Sequence, residues 1–265
     1  MNETDKKTLL QVENLSIGFT QYVKGTQRRT IQPISDLNVD IKEGEIVAVV
    51  GASGSGKSLL AHAVLGILPG NAICKGTILY KGRELTERKK EQLRGNEISF
   101  IPQSVNYLDP LMRVGKQVQI GLNKKTAQTK QNELFTRYGL KASDGRLFPF
   151  ELSGGMLRRV LFATSVREGV KLVIADEPTP GIHPEALSEI LKQLAEFTKD
   201  GAGVMLITHD IISALEIAHR VAVIKDGRTM EIADSKAFQG KGEGLKEAYT
   251  RRLWNALPQN EFAFE

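Results

Sequence analysis

The sequence predicts an α/β fold in which a mostly parallel sheet carries a phosphate-binding loop. The first sign is the apolar run Ile46–Val50, which is followed at once by the glycine-rich segment Gly51–Ser58. Three later runs have the same apolar texture and alternate with helical patterns, namely 171–176, 203–208 and 220–225. Such alternation favours a parallel sheet with helices on its faces. Between about residues 104 and 150, Lys- and Gln-rich helical patterns replace the strands and indicate an inserted helical subdomain.

Shorter patterns complete the predicted fold. The strands outside the parallel core are expected at 10–19, 36–41, 76–80 and 97–101. The core helices are expected at about 59–68, 184–198 and 211–219. The polar stretch 21–29 indicates a hairpin loop, Pro69-Gly70 should end the first helix, and Asp226-Gly227 is typical of a hairpin turn.

Composition narrows the classes of function. The chain of 265 residues has 36 basic and 31 acidic side chains, but the basic ones are scattered and not interleaved with aromatic residues. We therefore expect no nucleic-acid-binding platform. The single cysteine excludes an internal disulfide and fits a reducing compartment. The N-terminal residues are polar and no apolar run approaches the roughly 20 residues that span a bilayer, so we expect membrane association only through a partner.

The glycine-rich segment after the first core strand has the spacing G-x-x-x-x-G-K-S. Glycines allow successive backbone N–H groups to converge on phosphate oxygens, and the following helix adds its positive N-terminal end. Lys57 is expected to reach the β- and γ-phosphates, and the Ser58 hydroxyl is expected to bind Mg²⁺. The candidate nucleotide-binding residues of this segment are Gly51, Ala52, Ser53, Gly54, Ser55, Gly56, Lys57, Ser58 and Leu59.

Two adjacent carboxylates end the apolar run 172–175. A strand would deliver Asp176 to the carboxyl edge of the sheet, where it can hold Mg²⁺ through water. Glu177 can then lie beside the γ-phosphate and polarise an attacking water. An acidic turn after an ordinary strand is the alternative, and the phosphate loop earlier in the chain favours the nucleotide site.

A second anion-binding segment precedes the helical pattern 157–167. Ser153 can cap this helix, and Gly154, Gly155 and Met156 leave its first amides accessible. A simple helix cap is the alternative interpretation.

Together with the phosphate loop and Asp176-Glu177, the sequence Leu152-Ser-Gly-Gly resembles the signature of ATP-binding-cassette (ABC) ATPases. The resemblance extends over essentially the whole chain from about Leu10. It implies a P-loop NTPase, RecA-like core that binds ATP and Mg²⁺, a small antiparallel β subdomain and an inserted α-helical subdomain. The expected boundaries are 9–245 for one ATPase domain, with the core at about 9–103 and 165–240, the helical subdomain at about 104–164 and a tail at 246–265.

The resemblance assigns roles to further residues. Gln103 matches the glutamine that links Mg²⁺ and the γ-phosphate to the helical subdomain, and His209 matches the histidine that contacts the γ-phosphate and positions Glu177. Phe19 matches the aromatic residue that stacks on adenine, with Tyr22 as the alternative. In this family the signature of one subunit closes over the nucleotide of its partner, so Ser153–Met156 would act in trans and the working unit would be a dimer.

Two positions depart from the family pattern. His183 stands where an aspartate is usual, and Leu157-Arg158-Arg159 replaces a basic–Gln–Arg sequence. Both departures favour a second ABC ATPase subunit of a different sequence, which would give two unequal sites, with a homodimer as the alternative.

The segment 103–117 and the tail 249–258 resemble importers of peptides and nickel. The short tail favours nickel or metal chelates over peptides. The resemblance implies an ATP-hydrolysing subunit at the cytoplasmic face of the membrane. Its expected partners are two membrane permease subunits and, indirectly, an extracytoplasmic substrate-binding protein. Nucleic acid is not an expected partner. The alternatives are a soluble ABC ATPase of DNA repair or translation and a degenerate ATP-binding regulatory subunit.

Overall fold

A computed structural model of the chain describes residues 7–24, 27–165, 167, 169–178 and 184–258. The strands in these ranges are β1 (Thr8–Lys24), β2 (Gln27–Lys42), β3 (Ile46–Val50), β4 (Ala72–Tyr80), β5 (Arg83–Glu84), β6 (Ile98–Ile101), β7 (Leu172–Asp176), β8 (Gly203–Thr208), β9 (Arg220–Lys225) and β10 (Arg228–Asp234). The α-helices are α1 (Lys57–Leu65), α2 (Glu87–Leu93), α3 (Val114–Gln119), α4 (Ala127–Arg137), α5 (Gly154–Ser165), α6 (Pro184–Lys199), α7 (Ile211–Leu215) and α8 (Ala248–Asn255). The strands form one mixed sheet in the order β5-β4-β1-β2-β10-β9-β3-β8-β7-β6.

The parallel part of the sheet forms the centre of the molecule. Strands β6, β7, β8, β3 and β9 are parallel neighbours, and β3, β7 and β8 are buried along their whole length. Along β3, Ile46, Ala48 and Val50 join one hydrophobic core, while Val47 and Val49 join the other on the opposite face. Burial on both faces explains why these strands are continuous apolar runs and confirms the predicted α/β class.

The antiparallel part is a hairpin with added strands. β1 pairs with β2 and with β4, and the single parallel pair Arg228↔Asp36 joins β2 to β10. The expected loop at 21–29 is wrong in extent, because β1 continues to Lys24 and β2 begins at Gln27, with Gln21 paired to Arg29. Polar residues extend the ladder here because pairing depends on backbone hydrogen bonds rather than on apolar side chains.

Two predicted helix ends are also wrong. α1 ends at Leu65 rather than Leu68, because Gly66 adopts a left-handed conformation (φ 66°) and its N–H caps the helix. α7 ends at Leu215 rather than His219. His219 is already tied to the sheet, since its N–H donates to the Ile46 carbonyl and its Nδ1 accepts from the Ile46 N–H.

The helices α3, α4 and α5 lie between β6 and β7, where the sequence predicts a helical subdomain. Their shared core contains the buried rings of Phe135, Tyr138 and Phe162, the last two with centroids 6.0 Å apart. The same cluster continues into the sheet core through Ile101 and Val173. The helical insertion is therefore packed onto the edge of the sheet next to β6.

The helix α8 closes the described part of the tail. Its buried Trp254 packs edge-to-face on Phe238, with ring centroids 5.8 Å apart, and its Nε1–H donates to the Gly240 carbonyl at 3.0 Å. The tail therefore contributes to the hydrophobic core.

Replacement of Trp254 by alanine tests the contribution of α8. We expect a loss of about 3 kcal/mol in the free energy of unfolding, because a buried indole leaves a cavity. Urea denaturation measures this loss. The control is Arg252→Ala on the exposed face of α8; an equal effect of both variants would contradict a packing role for Trp254.

Candidate active site

The phosphate loop joins the buried end of β3 to the start of α1. Gly51 lies against β9 so closely that an added Cβ would be 2.2 Å from the Ile224 carbonyl oxygen. Gly56 has φ 96°, which favours glycine, and an added Cβ would be 2.7 Å from the Ile34 side chain. Between these packed ends, residues 52–54 are exposed. The two glycines therefore fix the shape of the loop while its crest stays accessible.

Lys57 lies across the loop. Its Nζ donates to the Gly51 carbonyl at 2.8 Å and to the Ala52 carbonyl at 3.0 Å. Burial lowers the pKa of Lys57, while the nearby carboxylates of Glu177 and Asp176 oppose this shift. The arrangement places one cation against a loop whose crest is exposed, which suits binding of a polyphosphate.

Asp176 ends β7 and is buried beside α1. Its Oδ1 has no hydrogen-bond partner among the described residues, and burial raises its pKa, which a hydrogen bond from the Ser58 hydroxyl opposes. The described residues contain no cluster of three His, Cys, Asp or Glu that could hold a metal alone. A buried oxygen beside a serine hydroxyl fits a cation such as Mg²⁺, which takes few protein ligands and completes its shell with phosphate and water.

Glu177 and His209 form a pair at the same edge. The His209 Nδ1 is 2.6 Å from the Glu177 Oε2. The Glu177 N–H donates to the Ile207 carbonyl at 2.8 Å, which extends the pairing of β7 with β8 by one residue, and its φ of 45° then turns the chain. The carboxylate is 12% exposed, so it is held in place but still reaches the surface of the site. A carboxylate oriented by an imidazole is the arrangement of a positioned base.

Gln103 follows β6 and has an exposed side chain. No hydrogen bond of the described residues joins this side chain to Ser58 or Asp176. Its backbone carbonyl accepts a hydrogen bond of 2.7 Å from Nη1 of Arg158. Sequence reasoning missed this contact, although the departure from Gln at position 158 was a signal for it.

Of the two aromatic candidates for adenine stacking, Phe19 has a described side chain. Phe19 is half-buried in β1 and packs against the core on the α1 side of the sheet. The side chain of Tyr22 and the residue His183 lie outside the part of the chain that the structure describes. Adenine stacking on Phe19 therefore stays a prediction.

The signature segment is a separate surface. Ser153 is exposed and its Oγ accepts from the Met156 N–H at 3.3 Å, as expected of a helix cap. Gly154 and Gly155 are exposed, and a Cβ added at either would meet no atom within 4 Å. No hydrogen bond of the described residues joins this segment to the phosphate loop. The structure thus leaves an open helix N-terminus available to a second molecule.

The chain matches the family model described as "ABC transporter" over residues 34–180. It is 34% identical to a "Peptidoglycan transport ATP-binding protein YejF" of Agrobacterium fabrum over 98% of this chain. The match covers only 49% of the length of that relative. It is 32% identical to the "Dipeptide transport ATP-binding protein DppD" of Escherichia coli over 95% of this chain and 79% of that protein.

One solved structure is similar along almost its whole length. This is cbiO1 from Clostridium perfringens, described as part of the ABC transporter complex cbiONQ, with a TM-score of 0.72 and 28% identity over 96% of this chain and 97% of that one. Among the described residues, no helix is both long and apolar enough to cross a membrane.

Replacement of Asp176 by asparagine tests the burial of this carboxylate. Because the raised pKa means that ionisation opposes folding, the variant should be more stable than the wild type at neutral pH without nucleotide. We expect a gain of roughly 1 kcal/mol, because asparagine keeps the buried oxygen but removes the charge whose burial is costly. Chemical denaturation measures it, with the exposed Asp200→Asn as control; a less stable D176N protein would refute this assignment.

Proposed function

The chain belongs to the ABC transporter family, and from this membership we propose that it binds and hydrolyses ATP as a subunit of a membrane importer. The observation that carries the proposal is the Glu177–His209 pair beside the phosphate loop and Asp176. The parallel strands bring a phosphate cradle, a candidate metal ligand and a positioned base to one edge.

The phosphate loop is the expected binding site of ATP. The amides of residues 51–59 would surround the phosphates, and Lys57 would exchange its two carbonyl partners for the β- and γ-phosphate oxygens. Ser58 and Asp176 would hold Mg²⁺, with Gln103 as a further ligand once its exposed side chain turns inward. Bound Mg²⁺ supplies charge neutralisation for phosphoryl transfer.

The hydrolytic step relies on orientation of water. Glu177 is placed to accept a proton from a water aligned with the γ-phosphate, and His209 holds the carboxylate through its 2.6 Å contact. His209 is 65% exposed, so its other ring nitrogen can meet the γ-phosphate. The pairing of Glu177 and His209 argues against a degenerate site that holds ATP without hydrolysis.

A complete site needs a second subunit. The exposed segment Ser153–Met156 offers free helix amides away from its own phosphate loop. In a head-to-tail dimer it would cover the ATP of the partner, an interaction that shields the site from bulk water and adds donors to the γ-phosphate. The unusual Leu157-Arg158-Arg159 sequence supports a partner of different sequence.

An exposed apolar patch on the helical subdomain supports docking to membrane permease subunits at the cytoplasmic face. Leu111 is 85% exposed and Phe150 is 74% exposed, and the Phe150 ring stacks on Phe148 with centroids 5.5 Å apart. Tyr107, four residues after Gln103, is also exposed. Protein surfaces rarely expose several large apolar side chains without a partner. Because Gln103 precedes this surface in the same loop, movement of Gln103 on ATP binding could be passed to the membrane subunits.

The names of the relatives support peptides as the cargo of the transporter. Nickel or metal chelates stay a prediction, because none of the relatives compared above is named for metal transport. A separate binding protein outside the membrane would choose the cargo. The same names favour transport over a soluble role in DNA repair or translation.

Replacement of Glu177 by glutamine tests the hydrolytic role. We expect the ATPase rate to fall at least a hundredfold, the usual contribution of a general base. Binding of ATP should be unchanged, because the phosphate loop is intact. Measurements use the complex that copurifies with the tagged chain, with the exposed Glu216→Gln as control. Normal turnover by the E177Q protein would disprove the proposed site.

Introduction of a negative charge on the apolar patch tests the docking surface. Leu111→Glu and Phe150→Glu should abolish copurification of permease subunits with the tagged chain, while ATP binding by the chain stays intact. The matched control is Ile120→Glu, an equally apolar exposed residue on the same subdomain. Retention of the permeases by both patch variants would contradict this surface assignment.

A further inference from the structure

Arg158 lies in α5, two residues after the signature segment Ser153–Met156. It is buried, with only 8% of its surface exposed. Its side chain extends from α5 to the loop after β6. There Nη1 donates to the carbonyl of Gln103 at 2.7 Å and approaches that of Pro102 at 3.5 Å. One side chain thus spans from the signature helix to the residue that the family resemblance assigns to the γ-phosphate.

The chemistry of this contact is unusual for a buried arginine. Among the described residues no carboxylate pairs with Arg158, and burial lowers its pKa with no opposing charge. Burial of an unpaired charge opposes folding, and two carbonyl hydrogen bonds offset only part of that cost. A residue that adds little to stability but fixes a geometry is expected where the geometry itself has a use.

The neighbouring arginine provides a contrast. Arg159 is half-exposed and joins α5 to α6 through Glu189 at 3.4 Å and to the turn after α4 through the Gly139 carbonyl at 3.3 Å. It holds the helix from the outside. The two arginines are adjacent in sequence but contact different parts of the structure, so one can serve as a control for the other.

In the proposed dimer, Arg158 would lie between the two nucleotide sites. Residues 154 and 158 are one helical turn apart, so the amides of the signature and the guanidinium move as one rigid unit. The guanidinium is a planar fork with fixed donor directions, which transmits the orientation of the Gln103 backbone better than a flexible contact would.

We propose that Arg158 is a positioning residue that ties the Gln103 backbone to the signature helix, so that Gln103 engaged in one site sets the orientation of Ser153–Met156 over the partner's ATP. This inference rests on the proposed ATPase function. It assigns a role to the arginine that replaces the usual glutamine after the signature.

The test compares Arg158→Met, Arg159→Met, Gln103→Ala and the double variant Q103A/R158M in the copurified complex. Methionine keeps the length of the side chain and removes both the charge and the donors. We expect R158M to unfold at the same temperature as the wild type or higher, because exchange of a buried charge for an apolar group is often neutral or stabilising. Its kcat should nevertheless fall by about tenfold to a hundredfold with KM for ATP unchanged, the effect of a misplaced group.

The double variant separates positioning from general damage. If Arg158 acts through Gln103, Q103A/R158M should be no slower than Q103A alone, whereas independent effects would multiply. R159M should retain wild-type kcat per folded molecule. Loss of stability and activity together in R158M, multiplicative rates in the double variant, or unchanged kcat in R158M would each overturn the inference. Hydrolysis that is insensitive to E177Q would instead overturn the proposed function and leave the Arg158 contact without its role.

Discussion

The register of the parallel strands is the constraint on which the site depends. Val50 pairs with Thr208, and Asp176 pairs with Ile207, so β3, β7 and β8 end at nearly the same height. Each strand is then followed by one part of the candidate site, which is the phosphate loop, the Asp176-Glu177 pair or His209. A slip of one residue in any strand would turn these side chains to the opposite face. Complete burial of the three strands, which fixes their register, therefore also fixes the chemistry.

Two charged side chains at this edge, Lys57 and Asp176, have no ion-pair partner of their own among the described residues that matches the proposed ligands, phosphate and Mg²⁺. Lys57 rests on two loop carbonyls, and Asp176 keeps a buried oxygen without a hydrogen bond. Burial shifts the pKa of each group toward its neutral form, and their mutual attraction limits the shift. Mg²⁺ and phosphate would supply the missing partners of both groups. Ligand binding is thus expected to stabilise the folded chain.

The helical segment between β6 and β7 connects the candidate nucleotide site to other surfaces of the chain. The loop after β6 carries Gln103 at its start and the exposed apolar patch farther along, and Arg158 holds that loop from α5. Ser153–Met156 begin the same helix. In the proposed function, the surfaces that would face the chain's own ATP, the partner's ATP and the membrane subunits therefore lie within one small packed unit. Such an arrangement can convert a change at one phosphate into movement at a distant surface, because packed helices move as rigid bodies.

The sequence alone determined what depends on local spacing. The phosphate loop, the carboxylates after an apolar strand, the signature and the alternation of strands and helices are all short-range patterns, and they predicted the fold class, the family and the edge where the site lies. Helix and hairpin ends were predicted less well, because Gly66 capping α1, His219 bonding to β3 and the polar ladder of β1 and β2 depend on neighbours in space. Only the tertiary structure brought His209 within 2.6 Å of Glu177, left Leu111 and Phe150 exposed, and aimed the buried Arg158 at Gln103. These contacts join residues 32 and 55 positions apart, and sequence spacing does not report distance once the chain has crossed a sheet.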